Sequence, residues 1–311
     1  MIFVVDSKII IYQGEIMKVA VIIVNYNDVD DTEKYVNTIT KYDLINRIVV
    51  VDNQSTTLGT FETLKKLESE KVKVIQSEKN GGYDYGNNFG IRYLQKLNEE
   101  YDYYIISNPD ISVTEEAIKH CLEVAENDSK IAVIAPRMFN KDNNPIRRSS
   151  WKMRTFWLDV VHSTRVLEMI FYKILRNGEY SSKDYEKEIL EVEAISGAFF
   201  VIKAKILNEI GLFDEDVFLF YEEDILAKML SERKYKTISL NSEKFIHYES
   251  QTIGKTFNYY KKMRQLFISK MYYHKKYNKI NVLQIIVFHI LNICRKIELL
   301  IEIPVRKLLK K

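Results

Sequence analysis

The sequence predicts an α/β chain built on a mostly parallel, doubly wound sheet over residues 18–136, and three observations carry that expectation. Five short, β-branched apolar runs recur along the stretch, helix-compatible segments separate them, and most of the runs are apolar along their length rather than alternating. Strands covered on both faces read this way.

In chain order, KVAVIIV (18–24) is the first strand and DDTEKYVNTIT (30–40) the first helix. RIVVV (47–51) precedes the helical LGTFETLKKLESE, VKVI (72–75) precedes NNFGIRYLQKLNEE, and YYII (103–106) precedes TEEAIKHCLEVAEN. IAVIA (131–135) closes the series. Strands and helices that alternate in this way imply parallel strands joined by crossover helices. Ligands of such a sheet bind beyond the carboxyl ends of its strands.

Those ends are polar. The first strand runs into Asn25-Tyr26-Asn27 and the second into Asp52-Asn53-Gln54-Ser55; Asn80-Gly81-Gly82-Tyr83 follows the third and Asn108-Pro109-Asp110 the fourth. Each alone is also what a turn or helix cap would show. Four consecutive βα turns facing one crevice point to a ligand. Asp52 can accept a hydrogen bond from a base N–H or a ribose hydroxyl. NGGYDYGNNFG (80–90), which includes Asn87, lets the backbone approach a ligand and then opens a helix. It lacks the Lys-Ser/Thr of a P-loop and the GxGxxG pattern, which argues against ATPase and dinucleotide functions. Pro109 stiffens its turn, and Asp110 offers a hard oxygen ligand suited to Mg²⁺ or Mn²⁺ on a diphosphate.

The 311 residues are 46% hydrophobic and 29% charged, an ordinary globular composition. Two cysteines, Cys121 and Cys294, stand far apart, so neither a disulfide framework nor a cysteine zinc site is expected. Residues 1–17 lack the basic start and cleavage site of a secretory signal and read as an extension without assigned function. The body is placed at 18–254, with a nucleotide-binding half at 18–136 and an acceptor-side half at 137–254, and a basic tail at 255–311.

That tail holds 14 Lys and Arg against two acids, Glu298 and Glu302, while the net charge of the whole chain is only +3, so the body is acidic. Within it, INVLQIIVFHILNIC (280–294) is uncharged but short for a membrane span. Val282, Ile285, Ile286, His289, Ile293, Ile297, Leu300 and Ile301 recur at helical spacing. A basic amphipathic helix lying on an anionic membrane surface has this pattern; so does a helix packed on the body or in a homodimer seam. Nucleic acid is not expected as a partner, because the body is acidic and carries no recognised module.

Taken in order, VAVIIVNYN, VVVDNQS, NGGYDYGNN, SNPD, AISGAFFVIKAKILNEIGLFDEDVFLFYEEDIL and FIHYES resemble the family 2 glycosyltransferases, specifically their bacterial rhamnosyltransferase-like branch, over about residues 18–250. The resemblance implies the GT-A fold, a nucleotide-sugar donor, a divalent cation and inversion at the anomeric carbon. By it, Asn108-Pro109-Asp110 matches the Asp-x-Asp metal motif with only its last position acidic. Asn25, Asn27, Asp52, Asn53, Asn80, Gly81, Gly82, Asn87, Asn108 and Gly197 would contact the nucleotide-sugar.

Attack of an acceptor hydroxyl on a sugar carbon needs one carboxylate base and a neutralised leaving group. GLFDEDVFLFYEEDILAKML (211–230) runs from a turn into a helix expected to begin near Glu222. Acids in a first helical turn are favoured by the dipole with or without chemistry. The resemblance gives Asp224 the role of general base, with Glu223 beside it; Trp151, Tyr221 and Glu222 are expected toward the acceptor. Leu226 departs from the family, where many relatives carry another acid, and this weakens inference about the acceptor. His247, after the last core strand, would join Asp110 at the cation. Residues 137–191 show no clear periodicity, and their Trp151, Trp157, Arg147 and Arg148 suit an acceptor sugar or lipid diphosphate as well as an ordinary packed loop.

The expected function is therefore transfer of a sugar from dTDP-rhamnose or a UDP-hexose to a lipid-linked surface-polysaccharide acceptor, on the inner face of the cell membrane. The alternative is a catalytically silent nucleotide-sugar-binding partner in an assembly complex. A sugar-phosphate nucleotidyltransferase would need a phosphate loop after strand one, where the chain has NYNDVDD.

Overall fold

The computed structural model describes residues 2–5, 9–12, 15–171, 178–248 and 259–309. The expected boundary near residue 254, and Glu249-Ser250 of FIHYES, lie outside the described residues. At the N-terminus β1 (Ile2–Val5), β2 (Ile9–Tyr12) and β3 (Glu15–Ile16) form a separate three-stranded antiparallel sheet.

The body opens with β4 (Val19–Asn25), α1 (Val29–Ile39), β5 (Arg47–Asp52), α2 (Thr60–Lys65), β6 (Val72–Gln76), α3 (Tyr83–Lys96) and β7 (Tyr103–Ser107). These four strands pair in parallel in the order β7-β4-β5-β6. The runs of β4, β5 and β7 are nearly all apolar because both faces are covered, whereas the edge strand β6 alternates, with Lys73 between Val72 and Val74. Val19, Val21 and Ile23 of β4 pack with Tyr35, Val36 and Ile39 of α1. Ala20 and Ile22 point the other way, into the layer containing Ile91 and Leu94 of α3.

Next come β8 (Ile111–Val113), α4 (Glu115–Glu126), capped by the Thr114 hydroxyl, and β9 (Ile131–Asn140). The less legible stretch contains β10 (Ser150–Trp151), α5 (Phe156–Val161) and α6 (Arg165–Ile170). It leads to β11 (Ile189–Val192), β12 (Ala194–Ile195), β13 (Phe199–Lys203), α7 (Ala204–Ile210), α8 (Glu222–Ser231) and β14 (Lys236–His247). The complete nine-stranded sheet has the order β11-β14-β9-β13-β7-β4-β5-β6, with β8 paired to β14. It is mostly parallel but mixed, because β13 inserts antiparallel between β7 and β9 while β11 and β8 pair antiparallel with β14. The insertion was invisible in sequence, since a strand at 199–203 settles beside one at 103–107.

The tail is two helices, α9 (Tyr259–Lys276) and α10 (Val282–Leu309). Tyr273 of α9 packs with Val217, Tyr221 and Ile225, and Phe288 of α10 packs with Phe156 and Met271. Among the described residues no helix is long and apolar enough to cross a membrane. In α10, Leu283, Ile286, Ile290, Ile293, Ile297 and Leu300 form one exposed stripe facing away from the body, while Ile285 turns inward against the Phe288 cluster.

Candidate active site

The polar strand ends converge at the carboxyl edge of β4, β5, β6 and β7. Asn25 and Asp52 are fully buried and brace each other: the Asn25 amide donates to Asp52 Oδ1 at 3.2 Å. Gln76 Nε2 donates to Asp52 Oδ2 at 2.9 Å, and the Ser55 hydroxyl also donates to Asp52. Thr32 donates to Asn25 Oδ1 at 3.0 Å. Asn53 ties the second turn to the third through Asn80 Oδ1 and the Gly82 carbonyl, at 3.2 and 2.9 Å. Asn27, in left-handed backbone with φ 57°, accepts from the Thr57 amide. Folding has thus joined the first three predicted turns into one hydrogen-bonded rim, while the backbone amide of Asn108 in the fourth donates to the Ala198 carbonyl instead.

Gly82 starts α3 with φ +97°, and a Cβ there would lie 2.2 Å from the Phe218 carbonyl oxygen. Only glycine fits both the conformation and the space. A Cβ on neighbouring Gly81 would strike the Tyr85 side chain.

Beside this rim lies a cavity of about 330 Å³ lined by Asn87, Asn108, Gly197, Glu222, Glu223 and His247, among others. Asn87 is buried with neither side-chain polar atom hydrogen-bonded, an arrangement that costs free energy until a ligand supplies partners. Glu223 Oε1 accepts the Gly197 amide at 3.2 Å. Asp84, in the same lining, was missed in the sequence reading. Burial first, and then the charges of Glu222 and Glu223, push its carboxyl well above the usual range. Its signal was an acid in the first turn of a helix opened by two glycines, too common a pattern to single out.

Asp110 is 7% exposed and stands 3.3 Å from His247 Nε2 across the β8–β14 pairing. Among the described residues no three His, Cys, Asp or Glu side chains group as a metal cage. The Asp110 carboxylate nevertheless fits Mg²⁺ or Mn²⁺ at a diphosphate, where one or two carboxylates suffice, and the His247 imidazole is compatible with Mn²⁺ though less suited to it than oxygen.

Asp224 lies in the first turn of α8, which begins at Glu222 as expected. It is 5% exposed. The Arg154 amide donates to Oδ1 at 3.0 Å, and Trp151 Nε1 to Oδ1 and Oδ2 at 3.3 and 3.4 Å. Burial lifts its carboxyl to about 7 even though Arg154 opposes the shift. Glu222 is lifted to about 8 by burial and then by the charge of Glu223. Trp151 is therefore joined to the proposed base. Tyr221 is buried between two cavity-lining residues, Phe220 and Glu222; its hydroxyl donates to buried Asp159 at 2.6 Å and its ring packs with Tyr273. Arg147 and Arg148 both pair with Glu179.

Known proteins are similar to this chain in sequence and fold. The low-salt glycan biosynthesis hexosyltransferase Agl10 of Haloferax volcanii is 26% identical over 219 residues, covering 70% of this chain; the chain spans 63% of that relative's length. Two solved structures share the fold at TM-scores of 0.56 and 0.52. One is GalNAc-T7 with UDP, GalNAc and Mn²⁺, at 17% identity over 75% of this chain and 43% of its own. The other is the mannosyltransferase PcManGT of Pyrobaculum calidifontis with GDP-Man and Mn²⁺, at 15% identity over 81% of this chain and 64% of its own. The family described as Glycosyl transferase family 2 matches residues 20–211, more than half of the sequence and the whole of the parallel strand-end rim. The chain belongs to glycosyl transferase family 2.

Proposed function

We propose that this glycosyltransferase works by inversion, moving a sugar from dTDP-rhamnose or a UDP-hexose to a hydroxyl of a lipid-linked surface-polysaccharide acceptor. The observation that carries the reading is Asp224, a buried carboxyl at a helix start, poised near neutrality and one residue from the cavity-lining Glu223. A general base with its pKa near the working pH is the efficient choice. Oδ2 of Asp224 carries only the longer Trp151 contact, which leaves it the freer oxygen for an acceptor hydroxyl. One base and one displacement give inversion; double displacement would require a carboxylate nucleophile.

The Asp52, Asn25 and Asn80 rim shapes the nucleotide site, and Asn87 and Gly197 face the sugar. Asp110 and His247 would hold Mn²⁺ or Mg²⁺, which when bound offsets the charge of the departing nucleoside diphosphate. Agl10, named for glycan biosynthesis, and the UDP- and GDP-mannose-bound neighbours support a nucleotide-sugar donor. Thermal-shift screening of nucleotide-sugars with Mn²⁺ should single out one donor, since a ligand of the folded state raises the unfolding midpoint. Turnover should release nucleoside diphosphate; released pyrophosphate would overturn the assignment. Donor binding without hydrolysis or transfer would favour the silent-partner alternative. Asp110→Ala should bind donor with no response to Mn²⁺, and a retained response would move the cation elsewhere.

The proposal extends to a place on the cytoplasmic membrane face. The outward α10 stripe is continued by exposed Val166, Met169 and Ile170 of α6, and exposed Lys261, Lys262, Arg264 and Lys296 add positive charge. Apolar area with basic residues suits an anionic lipid surface. The chain should sediment with phosphatidylserine vesicles and less with phosphatidylcholine. A homodimer in solution that ignores both vesicle types would make this stripe a subunit seam instead.

A further inference from the structure

Arg154 joins the proposed base to the tail. Its amide donates to Asp224 Oδ1 at 3.0 Å, while its carbonyl accepts the Tyr273 hydroxyl and Asn278 Nδ2, each at 3.0 Å. Its guanidinium donates to Asp159 Oδ1 at 3.1 Å. The fully buried Asp159 also accepts Tyr221 at 2.6 Å and contacts His274 Nε2 at 2.8 Å. His274 is in turn fixed by Asn278, 2.9 Å from its Nδ1. Burial alone would raise the Asp159 carboxyl, yet the His274 bond and the charges of Lys270 and Arg154 hold it well below the usual range. The carbonyl and the guanidinium of Arg154 are thus both anchored to partners other than Asp224.

Tyr273 and His274 belong to α9, and Asn278 follows it, all beyond the span matched by the family. A surface tail packed for stability alone would need only the apolar contacts of Tyr273 and Phe288. Here three polar side chains converge instead on one residue and on the aspartate that holds it. Buried networks with every member satisfied are rigid, and a rigid donor is what a base of defined basicity requires.

We propose that Tyr273 and Asn278 are positioning residues: they lock the Arg154 peptide so that its N–H stays aimed at Asp224, making the C-terminal helices part of the acceptor-side machinery. The inference rests on the reading of Asp224 as the base. With the clamp loosened, the N–H withdraws from the carboxylate, the charged form loses a stabilising hydrogen bond, and Asp224 becomes harder to ionise. The groups facing Asp224 that share control of its ionisation are Arg154, Asp159, Glu222, Glu223, Tyr221 and Tyr273.

The chain has only two tryptophans, Trp151 and Trp157, and Trp157 is 71% exposed. In a Trp157→Phe background, Trp151 becomes the sole tryptophan, with its indole N–H on Asp224, so its fluorescence titration reads that carboxyl without any substrate. The expected result is a transition near pH 7 that Asp224→Asn abolishes. Tyr273→Phe, which keeps the ring, and Asn278→Ala should each shift the transition upward, by about half a unit or more. A purely structural role would lower thermal stability and leave the midpoint where it was. An unmoved midpoint in both folded variants overturns the inference while leaving the base reading intact. A transition that survives Asp224→Asn, or none between pH 5 and 9, defeats the base reading and this inference with it. Should one variant fail to fold, the other decides.

Discussion

The proposed nucleotide end and the proposed acceptor side of this molecule are built in opposite ways. At the nucleotide end, consecutive βα turns meet because parallel pairing places every strand's carboxyl end on one edge. On the acceptor side, Trp151, Arg154, Asp224 and Tyr273 meet across separations of 70 residues or more. The first assembly follows from topology and tolerates variation in its individual turns. The second depends on particular side chains holding one another, so single substitutions there should have sharper functional consequences.

The contrast is broken most severely at Asp224. Asp224→Asn should lower turnover by about 10²–10⁴-fold, the worth of a positioned general base, while donor affinity is retained. Equal turnover in a steady-state assay would remove Asp224 from the chemistry. Next in size, Ile293→Asp combined with Ile297→Asp should weaken phosphatidylserine-vesicle binding by about 10-fold or more per site, given what burying such a side chain is worth. Unchanged sedimentation would take α10 off the membrane.

Gly82→Ala tests the nucleotide end, where the left-handed φ and the nearby Phe218 carbonyl leave no room. It should cost about 1–3 kcal/mol in denaturant unfolding from conformation alone, and a neutral result would mean that the α3 entrance relaxes freely. The smallest effect concerns stability at Asp224. Its folded pKa is raised, so the folded chain holds that proton more tightly than the unfolded one. The resulting stability is fully present below the unfolded pKa of about 4 and is lost as pH rises toward about 7. Asp224→Asn should therefore unfold a few degrees higher than the parent at pH 8, and a lower midpoint would contradict the burial cost assigned to the carboxylate.

Legibility in the sequence divides along the same line. The runs at 18–24, 47–51, 72–75 and 103–106 became β4 to β7 within a residue at each end, because buried strands leave a short β-branched apolar signature, interrupted only by Lys73 in the edge strand β6. The start of α8 at Glu222 was readable from its acidic first turn. By contrast, β13 carries no mark of its antiparallel insertion, and the pairing of Asp159 with His274 joins residues 115 apart. The contact of Tyr221 with Asp159, reached through a left-handed φ of 72°, likewise joins residues 62 apart and leaves no local mark. Local patterns encode elements and their ends; which side chains meet across the acceptor side is encoded only in packing.

The central claim, that Asp224 is the base, is tested most directly by the pH dependence of kcat/KM with the donor selected by thermal shift. The account predicts activity that rises as pH passes about 7, with this limb absent from the residual rate of Asp224→Asn. A parent enzyme whose rate is flat from pH 5 to 9, or whose limb persists in Asp224→Asn, would contradict it.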